Sequence, residues 1–230
     1  MLGGEGIEIL QRAHVMIAGL GGVGSFAAEA LARSGIGKLS LVEFDKVADT
    51  NRNRQIPALT STVGKEKLAV MAQRLRDINP ALALSLHPGR IDGGNTERLL
   101  HGEGGPPDFI ADAVDDLQAK LSLITAAKGR GIPIISSMAA GYRLDPSQLA
   151  VDDVGKTHTC PLARRLRRAL REVGIVDGLP VVWSKEAPIK TQGGADRPDE
   201  AGHASMVFVP GAAGLLMASY IVRRLTGVEC

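Results

Sequence analysis

The chain has 230 residues, 27 Lys or Arg against 25 Asp or Glu, and a formal charge of +2. At about 100–200 residues per domain, that length implies one full domain with appendages, and the charge balance excludes a polycation held to nucleic acid by bulk electrostatics. Hydrophobic residues at 44% supply a core, aromatics at 3% make it aliphatic, and two cysteines, Cys160 and Cys230, exclude a disulfide scaffold and a four-cysteine zinc site.

Met1–Gln11 carries Glu5 and Glu8 and no apolar run of signal-peptide length. His14–Ala18 is a short apolar run ending in glycines, which predicts a buried strand. Val23–Ser34 has Ala27, Ala30 and Leu31 at helical spacing. Leu39–Phe44 is a second strand. Gly64–Asn79 is a helix with Leu68, Met71, Ala72 and Leu75 on one face, stopped by Pro80. Strands follow at Ala81–His87 and Asp108–Val114, then a helix at Leu117–Arg130 and a strand at Pro133–Ser137. Beyond Ala139 the pattern loosens: strand Gln148–Val154, helix Pro161–Val173, strand Val181–Ser184, and a polar stretch Lys185–Ala204. A strand at Val207–Val209 and a helix at Ala212–Thr226 close the chain. The apolar stretch Met206–Val222 contains Pro210 and falls short of the roughly 20 residues of a membrane span, so no membrane association is expected. Alternating strands and helices imply right-handed crossovers. The expected fold is α/β, a Rossmann-like, mainly parallel sheet flanked by helices, with a C-terminal mixed extension of that sheet. Residues 1–230 are read as a single domain, cytoplasmic by default.

Gly19-Leu20-Gly21-Gly22-Val23-Gly24 satisfies G-x-G-x-x-G between a predicted strand and a predicted helix, the context in which the motif binds nucleotide. The first glycine makes the turn, the second admits phosphate close to the backbone, and the third packs helix on strand. The N–H groups of the helix N-terminus then face an anion. Glu43, 19 residues after Gly24, ends the second strand where a carboxylate can accept hydrogen bonds from ribose hydroxyls. This pattern alone fits NAD or ATP.

The residues that follow separate the two. Asp45, Asn51, Asn53, Arg54, Gln55 and Lys67 crowd cations and amides beside the phosphate turn. A nicotinamide pocket has no use for them. A carboxylate attacking the α-phosphate of ATP does, because the transition state gathers negative charge and expels pyrophosphate. Arg54 and Lys67 suit that role, with Asn51 or Asn53 donating to phosphate or ribose. Asp112-Ala113-Val114-Asp115-Asp116 ends the fourth strand at the rim where such sheets bind ligands, and Asp115 is placed to hold a magnesium ion (Mg2+) bridging the phosphates.

The motifs Gly-Leu-Gly-Gly-Val-Gly-Ser (19–25), Glu-Phe-Asp-Lys-Val (43–47), Asn-Arg-Asn-Arg-Gln (51–55), Val-Gly-x-x-Lys (63–67) and Asp-Ala-Val-Asp (112–115) resemble the HesA/MoeB/ThiF superfamily, relatives of ubiquitin-activating enzymes. Ala-Leu-Ala-Arg-Ser-Gly-Ile-Gly (30–37), Asn-Arg-Gln-Ile (53–56), Lys-Thr (156–157), Pro-Leu-Ala-Arg-x-Leu-Arg (161–167), Trp-Ser-Lys-Glu-Ala-Pro (183–188) and Phe-Val-Pro-Gly-Ala-Ala-Gly-Leu (208–215) are similar to its tRNA threonylcarbamoyladenosine dehydratase branch. The resemblance implies ATP and magnesium as cofactors and adenylation of the threonylcarbamoyladenosine carboxylate beside the tRNA anticodon. The side chain's own nitrogen or oxygen then closes on the activated carbonyl. It implies a nucleotide site of Gly19, Gly21, Gly22, Gly24, Glu43, Asp45, Asn51, Asn53, Arg54, Gln55 and Lys67. Glu43 would serve the ribose, Arg54 and Lys67 the phosphates, and Asp115 the metal. A homodimer, and a sulfur-relay partner protein, are further implications.

The sequence departs from the family in three places. Glu43 stands where the superfamily has Asp. An arginine-bearing segment expected ahead of Leu2-Gly3, which in the family reaches the partner subunit's ATP, is not in this sequence. Gly202-His203-Ala204-Ser205 lacks the cysteine with which some members take up an acyl group, and Cys160 reads as a plain thiol in a loop. A rival function of the same class is an adenylyltransferase for the C-terminal glycine of a ubiquitin-like sulfur carrier, disfavoured by the lack of a C-x-x-C pair. Rivals of a different class are an NAD-dependent oxidoreductase, disfavoured by Arg54 and Lys67, and a non-catalytic nucleotide-binding module.

Residues 161–173 are amphipathic, with Leu162, Leu166, Ala169, Leu170 and Val173 on one face. Arg164, Arg165, Arg167, Arg168 and Arg171 cover the rest, a tRNA phosphate surface if the substrate is tRNA, and a solvated face otherwise. Lys185, Lys190 and Arg197 are expected to close over the site. His158 and His203 lack ligand-spaced partners.

Overall fold

Val15, Met16, Ile17 and Ala18 are all buried, as a strand covered on both faces of a parallel sheet must be. They form β1 (His14–Ala18) at the centre of a seven-stranded sheet seen in a computed structural model, which describes residues 2–102, 105–189 and 204–228. The other strands are β2 (Lys38–Glu43), β3 (Ala83–Pro88), β4 (Phe109–Asp112), β5 (Ile134–Ser137), β6 (Leu149–Asp153) and β7 (Pro180–Ser184). Their order is β3-β2-β1-β4-β5-β7-β6, parallel throughout except that β6 runs antiparallel to β7. The order reverses between β1 and β4, so their carboxyl ends open a crevice, the place where such sheets hold ligands.

Helices cover both faces. On one lie α1 (Gly3–Arg12), α2 (Gly24–Arg33), α3 (Lys67–Ile78) and α7 (Phe208–Thr226). Leu10, Leu31, Met71 and Met217 from these helices pack on Val15, Ile17, Leu39 and Leu41. On the other lie α4 (Thr96–His101), α5 (Leu117–Gly129) and α6 (Pro161–Glu172). There Leu100, Leu123, Ile124 and Leu166 meet Met16, Ala18, Ile110 and Trp183. Alternate residues of β1 thus feed alternate cores, the period-2 consequence of the pleat.

The expected α/β sheet with a mixed C-terminal extension is the one found. One element is corrected. Val207–Val209, expected as a strand, enters α7, whose first turn starts at Phe208. Pro210 sits in that first turn, where its missing N–H leaves no hydrogen bond unmade. Gly211 and Gly214 let α7 lie on α2. A Cβ on Gly214 would come 2.3 Å from Val23 O, and one on Gly211 would press the Phe26 ring at 3.2 Å. Helices α1 and α4 are additions. The glycines of α1 hide its signal, and it forms by docking Gly6 and Leu10 inward, packing on α7. Helix α3 starts at Lys67 rather than Gly64. Gly64 has φ +85°, and Glu66 bridges to Lys46 as an isolated antiparallel pair. Among the described residues no helix is long and apolar enough to cross a membrane.

The amino end of the sheet holds a titratable group with a stability consequence. His14 is buried, with Nε2 2.7 Å from Ser40 Oγ. Burial and the nearby Lys38 ammonium hold its pKa below the usual imidazole value, with Asp108 opposing. As pH falls through about 6.5, the unfolded chain takes up this proton before the folded one does, so stability falls with it. A His14→Gln variant is expected to show a flatter loss of urea midpoint between pH 7.5 and pH 5.5 than the parent. Equal losses would remove His14 as the cause.

Candidate active site

The glycine turn divides its labour. Gly19 has φ +87°, and a Cβ there would lie 2.9 Å from Ala113 O. On Gly24 a Cβ would sit 1.8 Å from Gly19 O, so no other residue fits while α2 stays where it is. A Cβ on Gly22 would lie 3.1 Å from Pro210 Cβ and 3.5 Å from Arg54 Cγ. Gly21 differs: a Cβ there would find Gln55 Nε2, at 3.8 Å, as its nearest neighbour among the described residues beyond its chain neighbours. The protein's own packing therefore demands glycine at 19 and 24, whereas position 21 is left open to a ligand. Among the described residues no side-chain cap hydrogen bond is made at Val23, the N-cap of α2, an end at which backbone N–H groups favour an anion.

Glu43 ends β2 and is 7% exposed. Its Oε2 accepts from Leu20 N at 2.8 Å, and its Oε1 from Phe44 N at 2.8 Å and Asp45 N at 2.9 Å. The longer side chain thus reaches across and braces the glycine turn, a role no local sequence signal reveals. A carboxylate has about four acceptor positions, so one on Oε2 is left for a ribose hydroxyl. Asp45 and Lys67 form an ion pair at 3.0 Å, with the Lys67 side chain 5% exposed.

The loop before α3 is held by its own amides. Asn51 Oδ1 accepts from Ala48 N, and Asn51 O accepts from Arg54 N and Gln55 N. Arg54 Nη1 donates to Thr50 O and to Asn53 Oδ1, both at 2.9 Å, which holds the guanidinium against its own loop. Asn53 Nδ2 donates to Ser205 O at 2.6 Å and ties the loop to the segment before α7. Gln55 Oε1 is buried without a hydrogen-bond partner among the described residues, while Nε2 of the same amide is the end that lies 3.8 Å from where a Cβ on Gly21 would stand. The amide thus turns its N–H donors toward the open glycine, which fits a polar ligand there, and a 180° rotation would exchange them for the unsatisfied oxygen.

At the end of β4 three aspartates take three roles. Asp112 is fully buried and pairs with Lys120 at 3.0 Å. Asp116 caps α5 by accepting from Ala119 N at 2.8 Å. Asp115 is exposed on the turn between them. Among the described residues no three His, Cys, Asp or Glu groups gather into a metal cage. Magnesium needs few protein ligands, since it keeps several waters and is held largely by substrate phosphates, so a single exposed carboxylate such as Asp115 is compatible with it.

The arginines of α6 do not act alike. Arg164, Arg165, Arg168 and Arg171 face solvent, Arg168 within 3.4 Å of Glu172. Arg167 turns inward: its Nη1 donates to Thr157 O at 2.9 Å and to Thr157 Oγ1. That guanidinium is spent on anchoring residues 154–157, so the exposed cationic face has four arginines rather than five. Cys160 is buried in the core on the α6 side and presents no thiol to the crevice. The His158 ring packs edge-on against Trp183, 4.5 Å between centroids. Lys185 is exposed beyond β7, whereas Lys190, Arg197, His203 and Cys230 lie outside the described residues. Missed in the sequence were Lys120 and Arg143. Arg143 is buried and donates to Glu186 O at 3.0 Å and to Ala139 O, holding the loop after β5.

The family model of the ThiF family matches residues 1–230. This chain belongs to the ThiF family. The ThiF-family chain is 40% identical over 235 residues to a tRNA threonylcarbamoyladenosine dehydratase of Bacillus subtilis, covering 97% of this chain and 91% of that protein. It is also similar to the crystal structure of the Escherichia coli tRNA N6-threonylcarbamoyladenosine dehydratase in complex with AMP. The TM-score is 0.90 at 33% identity, over 98% of this chain and 90% of that one. The same E. coli enzyme in complex with ATP matches with a TM-score of 0.88 at 32% identity and the same coverage.

Proposed function

We propose that this ThiF-family chain is an ATP-dependent tRNA threonylcarbamoyladenosine dehydratase, acting as a single adenylation unit over residues 1–230. What supports the reading is a glycine turn at the carboxyl end of β1 whose position 21 the protein leaves open, braced by Glu43 through Leu20 N, with Arg54, Gln55, Lys67 and the exposed Asp115 as the groups assigned to it. The likeness to dehydratases over nearly the whole chain, one of them solved with ATP, supports the choice of substrate.

In this reading the threonylcarbamoyl carboxylate of the modified adenosine attacks the α-phosphorus of ATP and pyrophosphate leaves. A nitrogen or oxygen of the same side chain then forms a bond to the activated carbonyl carbon and AMP departs with the former carboxylate oxygen. The tRNA loses the elements of water, and ATP becomes AMP and pyrophosphate. No protein thiol is required, in keeping with the buried Cys160. Gly19, Gly21, Gly22 and Gly24 shape the phosphate turn. Glu43 takes the ribose while bracing Leu20. Arg54, Lys67 and Gln55 face the phosphates, and Asp45, Asn51 and Asn53 hold them in place. Arg54 and Lys67 stabilise the charge that develops as pyrophosphate leaves. Magnesium, when bound at Asp115, neutralises phosphate charge. Arg164, Arg165, Arg168 and Arg171 serve as phosphate contacts for the tRNA. A cytoplasmic homodimer fits a tRNA-modifying enzyme of this family.

The test combines protein, ATP, magnesium and tRNA bearing threonylcarbamoyladenosine, followed by nucleoside mass analysis. The expected product lacks one water. Unchanged tRNA, together with pyrophosphate exchange on a carrier protein ending in glycine, would instead make this an adenylyltransferase for a sulfur carrier.

A further inference from the structure

The core between the sheet and α5 contains a charged cluster that the adenylation chemistry does not use. Asp112 and Lys120 are both 0% exposed and pair at 3.0 Å. Ser136, the β5 residue in register with Asp112, donates its hydroxyl to Asp112 Oδ2 at 2.6 Å and accepts from Lys120 Nζ at 3.1 Å. The surroundings are apolar, with Ile110, Leu123 and Ile124 fully buried in the same core. Apolar side chains of similar volume hold such a position as well as or better than a desolvated ion pair does, so stability does not explain the cluster.

Its geometry does. While Oδ2 is held by Lys120 and Ser136, Asp112 Oδ1 accepts from Val114 N at 3.2 Å. The same turn is anchored on the opposite strand by Ala113 N donating to Ala18 O at 2.9 Å. It also abuts the phosphate turn, since a Cβ on Gly19 would meet Ala113 O at 2.9 Å and Val114 N at 3.3 Å. The residue that follows is Asp115. A carboxylate left free to rotate about Oδ1 and Oδ2 would not hold Val114 N in one place; the Lys120 and Ser136 donors remove that freedom.

We propose that Lys120, Asp112 and Ser136 are positioning residues that lock the turn 113–115 and so aim the Asp115 carboxylate at the magnesium of bound ATP. This rests on the assignment of Asp115 as the metal-facing carboxylate. Groups that orient a ligand from behind commonly change metal affinity or activity by about 10–100-fold when removed.

The experiment uses the full chain and manganese(II) as a paramagnetic stand-in for magnesium. Metal binding is followed by electron paramagnetic resonance with a non-hydrolysable ATP analogue present, and AMP binding is measured separately without metal. The paired substitution Asp112→Asn with Lys120→Met removes both charges together, leaving no lone buried ion. It is expected to weaken metal binding by about tenfold or more and to raise the magnesium needed for half-maximal dehydration, with AMP affinity held within about threefold. Ser136→Ala, which strands no charge, is expected to move both readouts in the same direction by a smaller factor. Unchanged metal binding in a folded paired variant and in Ser136→Ala would overturn the triad. Asp115→Asn separates the two levels. If it weakens metal binding while the triad variants do not, only the positioning role fails. If it leaves metal binding intact, the assignment of Asp115 fails and the triad's role falls with it.

Discussion

An Arg54→Ala variant is expected to lose about a hundredfold or more in dehydration rate, the size seen when one preorganised charge-stabilising donor is removed from a transition state. The fold is expected to survive the change. The side chain is partly exposed, and its local bonds are to Thr50 O and the neighbouring Asn53 amide. Losing such bonds at a partly wet site costs about 1 kcal/mol, roughly 2–4 °C in Tm at this chain length. A large rate loss with a small Tm shift is therefore the signature of a charge placed for chemistry. Single-turnover dehydration and thermal melting measured on the same preparation check it. Full activity in Arg54→Ala would remove Arg54 from the site.

Gly24→Ala is expected to fail in the opposite way. The added Cβ would lie 1.8 Å from Gly19 O, and both partners are backbone, so α2 and the turn must separate. Forcing a methyl into packed backbone costs about 3 kcal/mol or more, roughly a 6–12 °C drop in Tm for a chain this long, and nucleotide binding goes with the turn. Gly21→Ala is the control. Among the described residues its Cβ would meet Gln55 Nε2 alone, at 3.8 Å, so the protein should melt normally. The methyl would nonetheless stand where a phosphate must approach, and nucleotide affinity should fall by about tenfold, or 1.4 kcal/mol. Calorimetric AMP titration and melting of both variants distinguish a glycine needed by the fold from one needed by the ligand. A Gly21→Ala protein that binds AMP as tightly as the parent would mean that the phosphate takes another path.

Much of this site was legible because its signals are local. G-x-G-x-x-G between an apolar run and a helical pattern places the turn, and Glu43, Arg54, Lys67 and Asp115 follow at strand ends. The structure ties Glu43 to the glycine turn through Leu20 N and pairs Lys67 with Asp45. Illegible was how each group is already engaged. Glu43 looks like a ribose acceptor in the sequence, but its extra methylene also lets it grip Leu20 N, 23 residues away. Arg167 looks like one more surface cation, but it turns inward to Thr157. The sequence points to Asp115 for the metal but gives Asp112 and Asp116 no roles. Only the fold commits Asp112 to Lys120 and Asp116 to a helix cap, and leaves Asp115 open on the turn. Val207-Phe208-Val209 carries strand-forming residues, yet it enters a helix because Gly211 and Gly214 seat α7 against α2.

The 230 residues by themselves determined the alternation of strands and helices, the aliphatic core and the glycine turn, because hydrophobic period and turn chemistry are written in neighbours along the chain. Charge counted over the whole sequence is nearly balanced, at +2. Tertiary structure alone decided where that charge goes: a buried Asp112–Lys120 pair behind the site, an open carboxylate at Asp115, and four outward arginines on α6. The physical reason is partner choice. A polar side chain taken out of water must find a hydrogen-bond partner, and here the partners come from other strands and helices, brought within reach only when the sheet closes.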